Sequence, residues 1–287
     1  ALARMGYQVT FFEPRAFGRH ERVDIEPPCW CEVVVFSPTI EGVQAAAAQA
    51  AKADIVIKAS GVGVFDDELL METMSAARLD ALRIWWDVDA PATLAHLKAN
   101  PDSPLRRRLP ELDAVLTYGG GRGVVDDYLA LGARECRLIY NGFDPEEVHP
   151  APFDLRFDAD LGFLGNRLPD REARVESFFI APARRMPDCR FLLGGAGWET
   201  AGLPPNVTLL GHVPTADHNA FNSTAKAVLN VNRQSMAEYG FTPPTRIFEA
   251  AGAGACLITD VWPGIDSFLE PGSEILVARD GQDVPHL

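Results

Sequence analysis

The amino-acid sequence alternates short apolar runs with helical stretches along almost its whole length. The apolar runs are rich in valine, isoleucine and aromatic residues, which is typical of strands buried on both faces of a parallel sheet. In the first half they cover residues 7–12, 32–36, 54–58, 82–86, 114–117 and 136–140, with helices predicted at 40–51, 65–77, 92–109 and 124–131. In the second half they cover 161–164, 190–193, 207–210, 227–231, 256–259 and 275–277, with helices at 170–185, 215–223, 245–253 and 265–269. This alternation predicts an α/β fold in which helices cover both faces of parallel sheets.

A turn-rich segment separates the two halves. Residues 141–145 read NGFDP, and Pro150 and Pro152 follow without any helical periodicity. We therefore predict a boundary between a doubly wound domain at residues 1–144 and a second one at 145–287. The chain opens with ALARMG, which is typical of the last turn of a helix, and it ends in a loop-like run. We expect the natural protein to be longer at both ends.

Charge and composition exclude several classes of partner. The 287 residues include 26 basic and 40 acidic side chains, a formal net charge of -14. Such an acidic surface repels nucleic acid and anionic membranes, so neither is expected as a partner. Apolar runs are too short to span a membrane, and the five scattered cysteines do not indicate a disulfide framework. We expect a cytoplasmic protein, since no signal peptide is visible.

The most informative segment reads PPTRIFEAAGAGA, residues 243–255. Ligands of open α/β sheets bind beyond the carboxyl ends of the strands, so two facing domains would line one cleft there. Two prolines precede Thr245, which we predict to be the N-cap of a helix whose free N–H groups suit a diphosphate. Arg246 adds a planar cation, and Glu249 lies one turn further on, where a carboxylate can accept both hydroxyls of a ribose. An ordinary capped helix with an arginine–glutamate pair explains these residues equally well.

A tight turn follows the predicted strand at 161–164. Gly165 allows the backbone to approach a ligand closely, and we predict that Gly165, Asn166 and Arg167 contact a substrate. Either Arg167 or Arg171 could neutralise a diphosphate at this turn. For Arg171, a solvated position on the surface is at least as good an interpretation.

The run PPTRIFEAAGAGACLITD, with PGIDSFLEPGSEILV after it, resembles the donor-binding region of group 1 glycosyltransferases, closest to their spore-maturation-protein-like branch. The resemblance extends back through NVTLLGHVP at 206–214, VLNVNR at 228–233 and YNGFDP at 140–145, and so covers nearly all of the second half. It implies a GT-B fold, in which two Rossmann-like domains face a cleft and the second holds a nucleotide-sugar. It also implies transfer without a metal ion and with retention of configuration.

The resemblance also implies roles for single residues. Glu249 would bind the ribose, Arg246 and Thr245 would lie near the diphosphate, and His212 and Val213 would meet the base. Asn232 lies in the matching segment and is predicted to contact the donor. Many members carry two glutamates eight residues apart, whereas here Glu238 precedes Glu249 by eleven positions. The residue that recognises the donor sugar is therefore left open.

Two loops of the first half are predicted to serve the acceptor. Asp87 and Asp89 directly follow the strand at 82–86, in a pattern that resembles the Asp-x-Asp metal site of the other major glycosyltransferase fold. Because GT-B enzymes generally need no metal ion, we predict instead that these carboxylates bind acceptor hydroxyls or accept a proton. A competing interpretation makes Asp89 the N-cap of the next helix. Gly120, within YGGGRG, is predicted to lie in a flexible loop that contacts the acceptor, and His20 is interpreted as a surface histidine or a base.

These patterns predict a hexosyltransferase-type glycosyltransferase that needs neither metal nor cofactor. Its partners would be a nucleotide-sugar, whether UDP-, GDP- or dTDP-linked, and an unidentified acceptor. Two alternatives stay open. One is a nucleotide- or sugar-binding protein of the same fold without turnover. The other is an NAD(P)-dependent oxidoreductase, which the missing G-x-G-x-x-G fingerprint disfavours.

Overall fold

The computed structural model describes residues 2–18, 20, 26–61 and 63–287. The chain divides into two compact units, Ala1–Ile139 (unit 1) and Tyr140–Leu287 (unit 2). This division lies before the boundary predicted after Asp144, because the intervening residues pack on unit 2. The Tyr140 ring lies edge-on to Phe268 with centroids 4.7 Å apart. The Asn141 side-chain amide donates a hydrogen bond of 2.8 Å to the Thr245 hydroxyl.

Unit 1 contains six strands and five α-helices among its described residues. The strands are β1 (Val9–Pro14), β2 (Cys31–Phe36), β3 (Ile55–Ala59), β4 (Leu82–Asp87), β5 (Ala114–Thr117) and β6 (Cys136–Leu138). The helices are α1 (Ile40–Ala50), α2 (Asp66–Ala76), α3 (Ala90–Ala99), α4 (Pro104–Arg108) and α5 (Gly121–Ala130). Where one helix was predicted at 92–109, Ser103 caps a second helix, α4, with its side chain accepting from the Arg106 N–H.

Every hydrogen-bonded strand pair of unit 1 is parallel, but the strands form two sheets. Strands β3, β4, β5 and β6 pair in that order, while β1 and β2 pair only with each other within the described ranges. Helix α1 packs against both α2 and β2. The main core lies around the four-stranded sheet, where Trp85, Leu94 and Tyr128 are buried together.

Unit 2 contains one sheet of six strands. The strands are β7 (Leu161–Leu164), β8 (Phe191–Gly194), β9 (Val207–Gly211), β10 (Ala227–Asn230), β11 (Leu257–Asp260) and β12 (Leu276–Ala278). The helices are α6 (Pro169–Val175), α7 (Ala181–Arg185), α8 (His218–Thr224), α9 (Gln234–Tyr239) and α10 (Thr245–Gly252). A π-helical turn, Glu176–Ile180, joins α6 to α7 where one continuous helix was predicted. Pro182 follows this turn and has no N–H to continue the regular hydrogen bonding.

The strand order of unit 2, β12-β11-β10-β7-β8-β9, determines where a ligand can bind. All five neighbouring pairs are parallel. From β7 the chain proceeds towards β9, and from β10 it proceeds in the opposite direction towards β12. The loops that leave β7 and β10 therefore diverge to opposite faces, which creates a crevice at the carboxyl ends of these two strands.

Helices cover both faces of this sheet, as predicted. Phe221 of α8 and Ile247 of α10 are fully buried on one face. Phe163, Phe179 and Phe191 pack on the other face, with rings in tilted and edge-to-face contacts. The successive residues Phe163 and Leu164 contribute to opposite faces, as residues of a central strand do.

Candidate functional site

The loop after β7 begins at Gly165 and determines what can approach the crevice. The Gly165 N–H donates to the Gly194 carbonyl at 2.9 Å, and its own carbonyl accepts from the Trp198 indole at 2.6 Å. A Cβ at this position would lie 3.0 Å from Nη1 of Arg171 and 3.1 Å from Cζ of Phe163. The missing side chain therefore lets the Arg171 guanidinium lie directly against the backbone at the end of β7.

The loop after β8 packs against the loop after β7 and is hydrogen-bonded to it. Gly195 has a φ of +123°, and a Cβ there would lie 2.2 Å from the Gly165 carbonyl oxygen. The Asn166 side-chain oxygen accepts from the Ala196 N–H at 2.9 Å, and the Arg167 N–H donates to the Ala196 carbonyl at 2.9 Å. Asn166 was predicted to contact a substrate, and this geometry gives its carbonyl oxygen a structural task instead.

The two arginines that follow have opposite surroundings. Arg167 pairs with Glu172 at 2.6 Å and lies 3.7 Å from Glu199, so its charge is already compensated. Arg171 is half-buried, and its Nε is buried without a hydrogen-bond partner among the described residues. Burial lowers the pKa of Arg171, and the charge of Arg233 lowers it further. The sequence favoured Arg167 over Arg171 as the donor contact, and the structure favours the reverse.

Helix α10 places a second uncompensated cation at the same crevice. Its N-cap is Pro244, so Thr245 is the first helical residue and not the predicted cap. The Arg246 guanidinium carbon lies 6.0 Å from the centroid of the Phe163 ring, a cation–π distance. Its Nη1 is buried without a hydrogen-bond partner among residues 63–287. Burial lowers the pKa of Arg246 to about 10, with the charge of Glu249 acting to raise it and that of Arg171 to lower it.

Arg171 and Arg246 thus meet around Phe163 and Gly165 at the end of β7. We call these two side chains the arginine pair. Two nearby arginines differ, since Arg174 pairs with Asp260 and Arg233 pairs with Asp170. Within the described part of the chain, no ion pair compensates either member of the arginine pair. Two adjacent positive charges with buried, unsatisfied N–H groups form a site that favours a dianion.

Asn232 lies at the crevice just beyond the end of β10. It is 1% exposed, its N–H donates to Asp260 at 3.1 Å, and its side-chain oxygen accepts from Asn230 at 3.2 Å. Its side-chain nitrogen is buried without a partner among the described residues. Burial raises the pKa of Asp260, while the ion pair with Arg174 opposes this rise. Asn232 therefore links the ends of β10 and β11, and both N–H groups of its side-chain amide are left without a partner among the described residues.

The remaining predicted donor contacts lie at different depths. Glu249 is half-buried on α10, one turn beyond Arg246 and close enough to influence its pKa. Val213 is buried beneath the loop after β8, where a Cβ on Gly194 would lie 3.1 Å from Val213 Cγ2. The Val213 carbonyl also faces Nε2 of His218 at 3.2 Å. Of the two residues predicted to meet the base, Val213 is buried and His212 is exposed.

In unit 1, Asp87 is fully buried at the end of β4 and has several hydrogen-bond donors. One carboxylate oxygen accepts from the Ser60 hydroxyl (3.0 Å), the Asp89 N–H (3.0 Å) and the Thr93 hydroxyl (2.9 Å). The other accepts from the Tyr128 hydroxyl. Burial raises the pKa of Asp87, and the hydrogen bond with Tyr128 opposes this rise. The geometry supports a structural role for Asp87 rather than contact with an acceptor.

Asp89 and Gly120 are better placed for contact with a ligand of unit 1. Asp89 is half-buried at the N-cap of α3. Gly120 is the N-cap of α5 in a left-handed conformation, with a φ of +83°. His20, near the carboxyl end of β1, lies 2.9 Å from the Glu13 carboxylate. The roles predicted for Asp89 and Gly120 stay predictions.

The described residues form neither a cluster of metal-ligating side chains nor a membrane-spanning helix. In these ranges there is no group of three or more histidine, cysteine, aspartate or glutamate residues that could hold a metal ion. None of the helices described is both long and apolar enough to cross a bilayer.

A cavity of about 490 Å³ in unit 1 lies at the amino end of β4. Its Arg83 donates to the carbonyls of Met74, Ala77 and Arg78 and so caps α2, which is a structural role.

Residues 171–287 match a family model described as glycosyl transferase-like. The matched region begins at Arg171 and contains Arg246 and Glu249. No curated protein sequence matches the chain.

The whole chain is similar in structure to several glycosyltransferases. Sucrose-phosphate synthase from Thermosynechococcus elongatus matches with a TM-score of 0.68 and 14% identity over 99% of this chain and 79% of that one. HepE of Anabaena, in complex with UDP-glucose, matches with a TM-score of 0.64 and 15% identity over 89% and 74%. AviGT4, a glycosyltransferase involved in avilamycin A biosynthesis, matches with a TM-score of 0.59 and 15% identity over 99% and 74%. At these identities the likeness shows the fold, and the GT-B fold predicted from the sequence is confirmed.

Proposed function

We propose that this protein transfers a sugar from a nucleotide-sugar donor that binds to unit 2. The observation that carries the proposal is the arginine pair at the crevice between β7 and β10. Arg171 and Arg246 lie near each other, neither forms an ion pair with a carboxylate of the described residues, and each has a buried side-chain nitrogen without a hydrogen-bond partner there. Two positive charges match the two negative charges of a diphosphate diester. The glycosyl transferase-like match over residues 171–287 supports the same assignment.

The arginine pair also fits the chemistry of glycosyl transfer. The bond from the anomeric carbon to the diphosphate oxygen breaks, and its electron pair stays on the diphosphate. Negative charge therefore grows where the two guanidinium groups lie, and donors already in position stabilise that charge best. The acceptor hydroxyl forms the new bond and loses its proton. Because Arg171 and Arg246 supply the positive charge, we propose transfer without a metal ion; retention of configuration rests on the family resemblance.

The rest of the donor follows the direction of α10. Glu249 lies one turn beyond Arg246, so we propose that its carboxylate binds the ribose hydroxyls. The transferred group, which we propose to be a hexose, then lies on the other side of the diphosphate, towards residues 240–244. Unit 1 is proposed to serve the acceptor, with Asp89 and Gly120 as the contact residues. UDP-linked sugars are the first donors to test, because HepE was determined with UDP-glucose.

Isothermal titration calorimetry with UDP-, GDP- and dTDP-sugars tests the donor site. We expect micromolar binding by the unaltered chain and a loss of at least tenfold when both Arg171 and Arg246 are replaced by methionine. Replacement of Arg167, which is already paired, serves as the control and should leave the affinity unchanged. Equal binding by the double variant would refute the assignment of the diphosphate. Binding of NAD(P) in place of nucleotide-sugars would favour an oxidoreductase, and donor binding without release of nucleotide in any acceptor screen would favour a binding protein.

A further inference from the structure

The loop before α10 presents a phenylalanine in an unusual conformation. Phe241 has a φ of +47°, in the left-handed region that residues with a Cβ rarely adopt. For a bulky side chain this conformation is strained and persists only where the surroundings enforce it. Despite this strain, the ring is 40% exposed.

The surroundings hold the backbone of Phe241 and one side of its ring. The Phe241 N–H donates to the Pro263 carbonyl at 2.7 Å. A Cβ on Gly264 would lie only 2.3 Å from Cδ1 of the ring, so the ring rests directly on the Gly264 backbone. Gly240, with a φ of +71°, allows the chain to pass beside Pro263, where a Cβ would lie 2.7 Å from the proline ring. The ring is thus supported on one side and open on the other.

Phe65 adopts the same left-handed backbone conformation, and packing of its side chain explains it. Its φ is +55°, but its side chain is half-buried against the cluster formed by Phe36, Val43 and Ala46. Phe241 belongs to no core cluster of the described residues. Packing in the interior therefore does not account for the position of the Phe241 ring.

The position of Phe241 relative to the arginine pair follows from topology. The loop at 261–264 follows β11, and the loop at 240–244 precedes α10, so both lie at the carboxyl edge of the unit 2 sheet. Four residues span at most about 14 Å, which keeps Phe241 close to Thr245. Along α10 the proposed ribose contact, Glu249, comes after Arg246. The opposite end of the diphosphate, which carries the sugar, therefore points back towards Phe241.

Glu238, the nearest glutamate before Glu249, is hydrogen-bonded within its own helix. Glu238 is exposed, and its carboxylate accepts a hydrogen bond of 2.5 Å from the Gln234 side chain in the same helix. A flat aromatic ring offers a different means of recognition, because it can cover the C–H face of a sugar ring and exclude water from it.

We propose that the exposed face of Phe241 is the stacking surface for the transferred sugar, and that it selects a pyranosyl group with a continuous C–H face. This inference rests on the proposed donor site and goes beyond it by naming how the sugar is recognised. Stacking on one face leaves the hydroxyl groups of the sugar free to contact the loop and the acceptor.

The test compares sugar-dependent binding between matched variants of the full chain. Isothermal titration calorimetry measures the dissociation constants of UDP and of UDP-glucose, UDP-galactose and UDP-N-acetylglucosamine. The ratio of the UDP constant to the UDP-sugar constant isolates the contribution of the sugar. We expect Phe241→Leu, which keeps an apolar side chain but removes the flat ring, to lower this ratio by about fivefold for the sugar that binds best. Phe241→Trp should keep the ratio within about twofold.

Phe153→Leu is the matched control. Phe153 is 66% exposed in unit 2, but its segment is bound at the opposite edge of the sheet, where the Ala151 N–H donates to Ser223 near the end of α8. Unchanged UDP affinity in Phe241→Leu shows that the variant is folded. An unchanged ratio in Phe241→Leu, or an equal fall in Phe153→Leu, overturns the role of Phe241 while leaving the donor site intact. Failure of the unaltered chain to bind any of these nucleotides overturns the proposed function, and this inference with it.

Discussion

Replacing Arg171 with methionine should weaken the binding of a nucleoside diphosphate by about tenfold to a hundredfold. The buried Nε of Arg171 has no hydrogen-bond partner among the described residues, so a diphosphate oxygen is the partner that the proposed site provides. A hydrogen bond to a charged group contributes about 1.5–3 kcal/mol, and each 1.4 kcal/mol is about tenfold in affinity. Methionine keeps much of the apolar stem of Arg171 and removes the guanidinium that lies against Gly165.

The same change should leave the free protein as stable as before. Arg171 lies near the positive charges of Arg246 and Arg233, which lower the pKa of the neighbouring guanidinium groups. Removing Arg171 relieves this repulsion but also removes its attraction to Asp170 and Asp260, so we expect the free energy of unfolding to change by less than about 1 kcal/mol. A loss of affinity together with a loss of several kcal/mol in stability would indicate a structural role.

Calorimetry at two salt concentrations provides the assay. The affinity of the unaltered chain should fall as salt rises, because screening weakens the attraction between exposed charges. The salt dependence should be smaller in Arg171→Met, which has one positive charge fewer. Arg167→Met is the matched control, since Arg167 already pairs with Glu172. Wild-type affinity in Arg171→Met, or an equal loss in Arg167→Met, would refute the reasoning.

Three further changes test other parts of the site and fold. Glu249→Gln should weaken the binding of UDP by about 1–3 kcal/mol and leave the binding of inorganic pyrophosphate unchanged, because pyrophosphate has no ribose. If calorimetry finds equal losses of affinity for both ligands, Glu249 does not bind the ribose. Gly165→Ala should displace Arg171, because the added Cβ would lie 3.0 Å from its Nη1, and should lower UDP affinity in calorimetry. The control Gly142→Ala meets nothing within 4 Å and should leave UDP affinity unchanged. Asp87→Ala should destabilise unit 1 by about 2–4 kcal/mol in urea unfolding, because buried donors lose their acceptor, with no effect on UDP affinity. Because burial raises the pKa of Asp87, the folded state holds its proton more tightly, so stability falls as pH rises above the ordinary value of 3.8; Asp87→Asn should remove this fall.

Periodicity determined the fold class and most of the elements. The continuous apolar runs predicted β7 at 161–164 and β5 at 114–117 with the bounds that the structure shows. Such runs are informative because a strand covered on both faces, such as β7, buries every side chain in succession. Periodicity did not reveal helix α9 or the separation of β1 and β2 from the other strands of unit 1. The pairing of β1 with β2 joins segments that are distant in sequence, and the six residues of α9 are too few to show a helical period.

Local motifs predicted a donor site at 243–250 and at the turn after β7, but they could not rank the arginines of that turn. In the sequence Arg167 and Arg171 look alike, four positions apart in the same loop and helix. The structure separates them, because Glu172 and Glu199 compensate Arg167 while Gly165 and Phe163 bury part of Arg171. The sequence offered one signal for Arg171, its position shortly after Gly165 at the end of a central strand. That signal alone does not distinguish Arg171 from Arg167.

The charge state of each candidate side chain was therefore a tertiary property. Asp87 and Asp89 form one short motif, yet the structure buries Asp87 among several donors and leaves Asp89 half-exposed at the start of α3. The sequence by itself determined that parallel strands and helices alternate, and hence at which edge of the sheet a ligand belongs. Only the tertiary structure decided which cations at that edge lack a partner, because compensation depends on residues brought together from separate strands and helices.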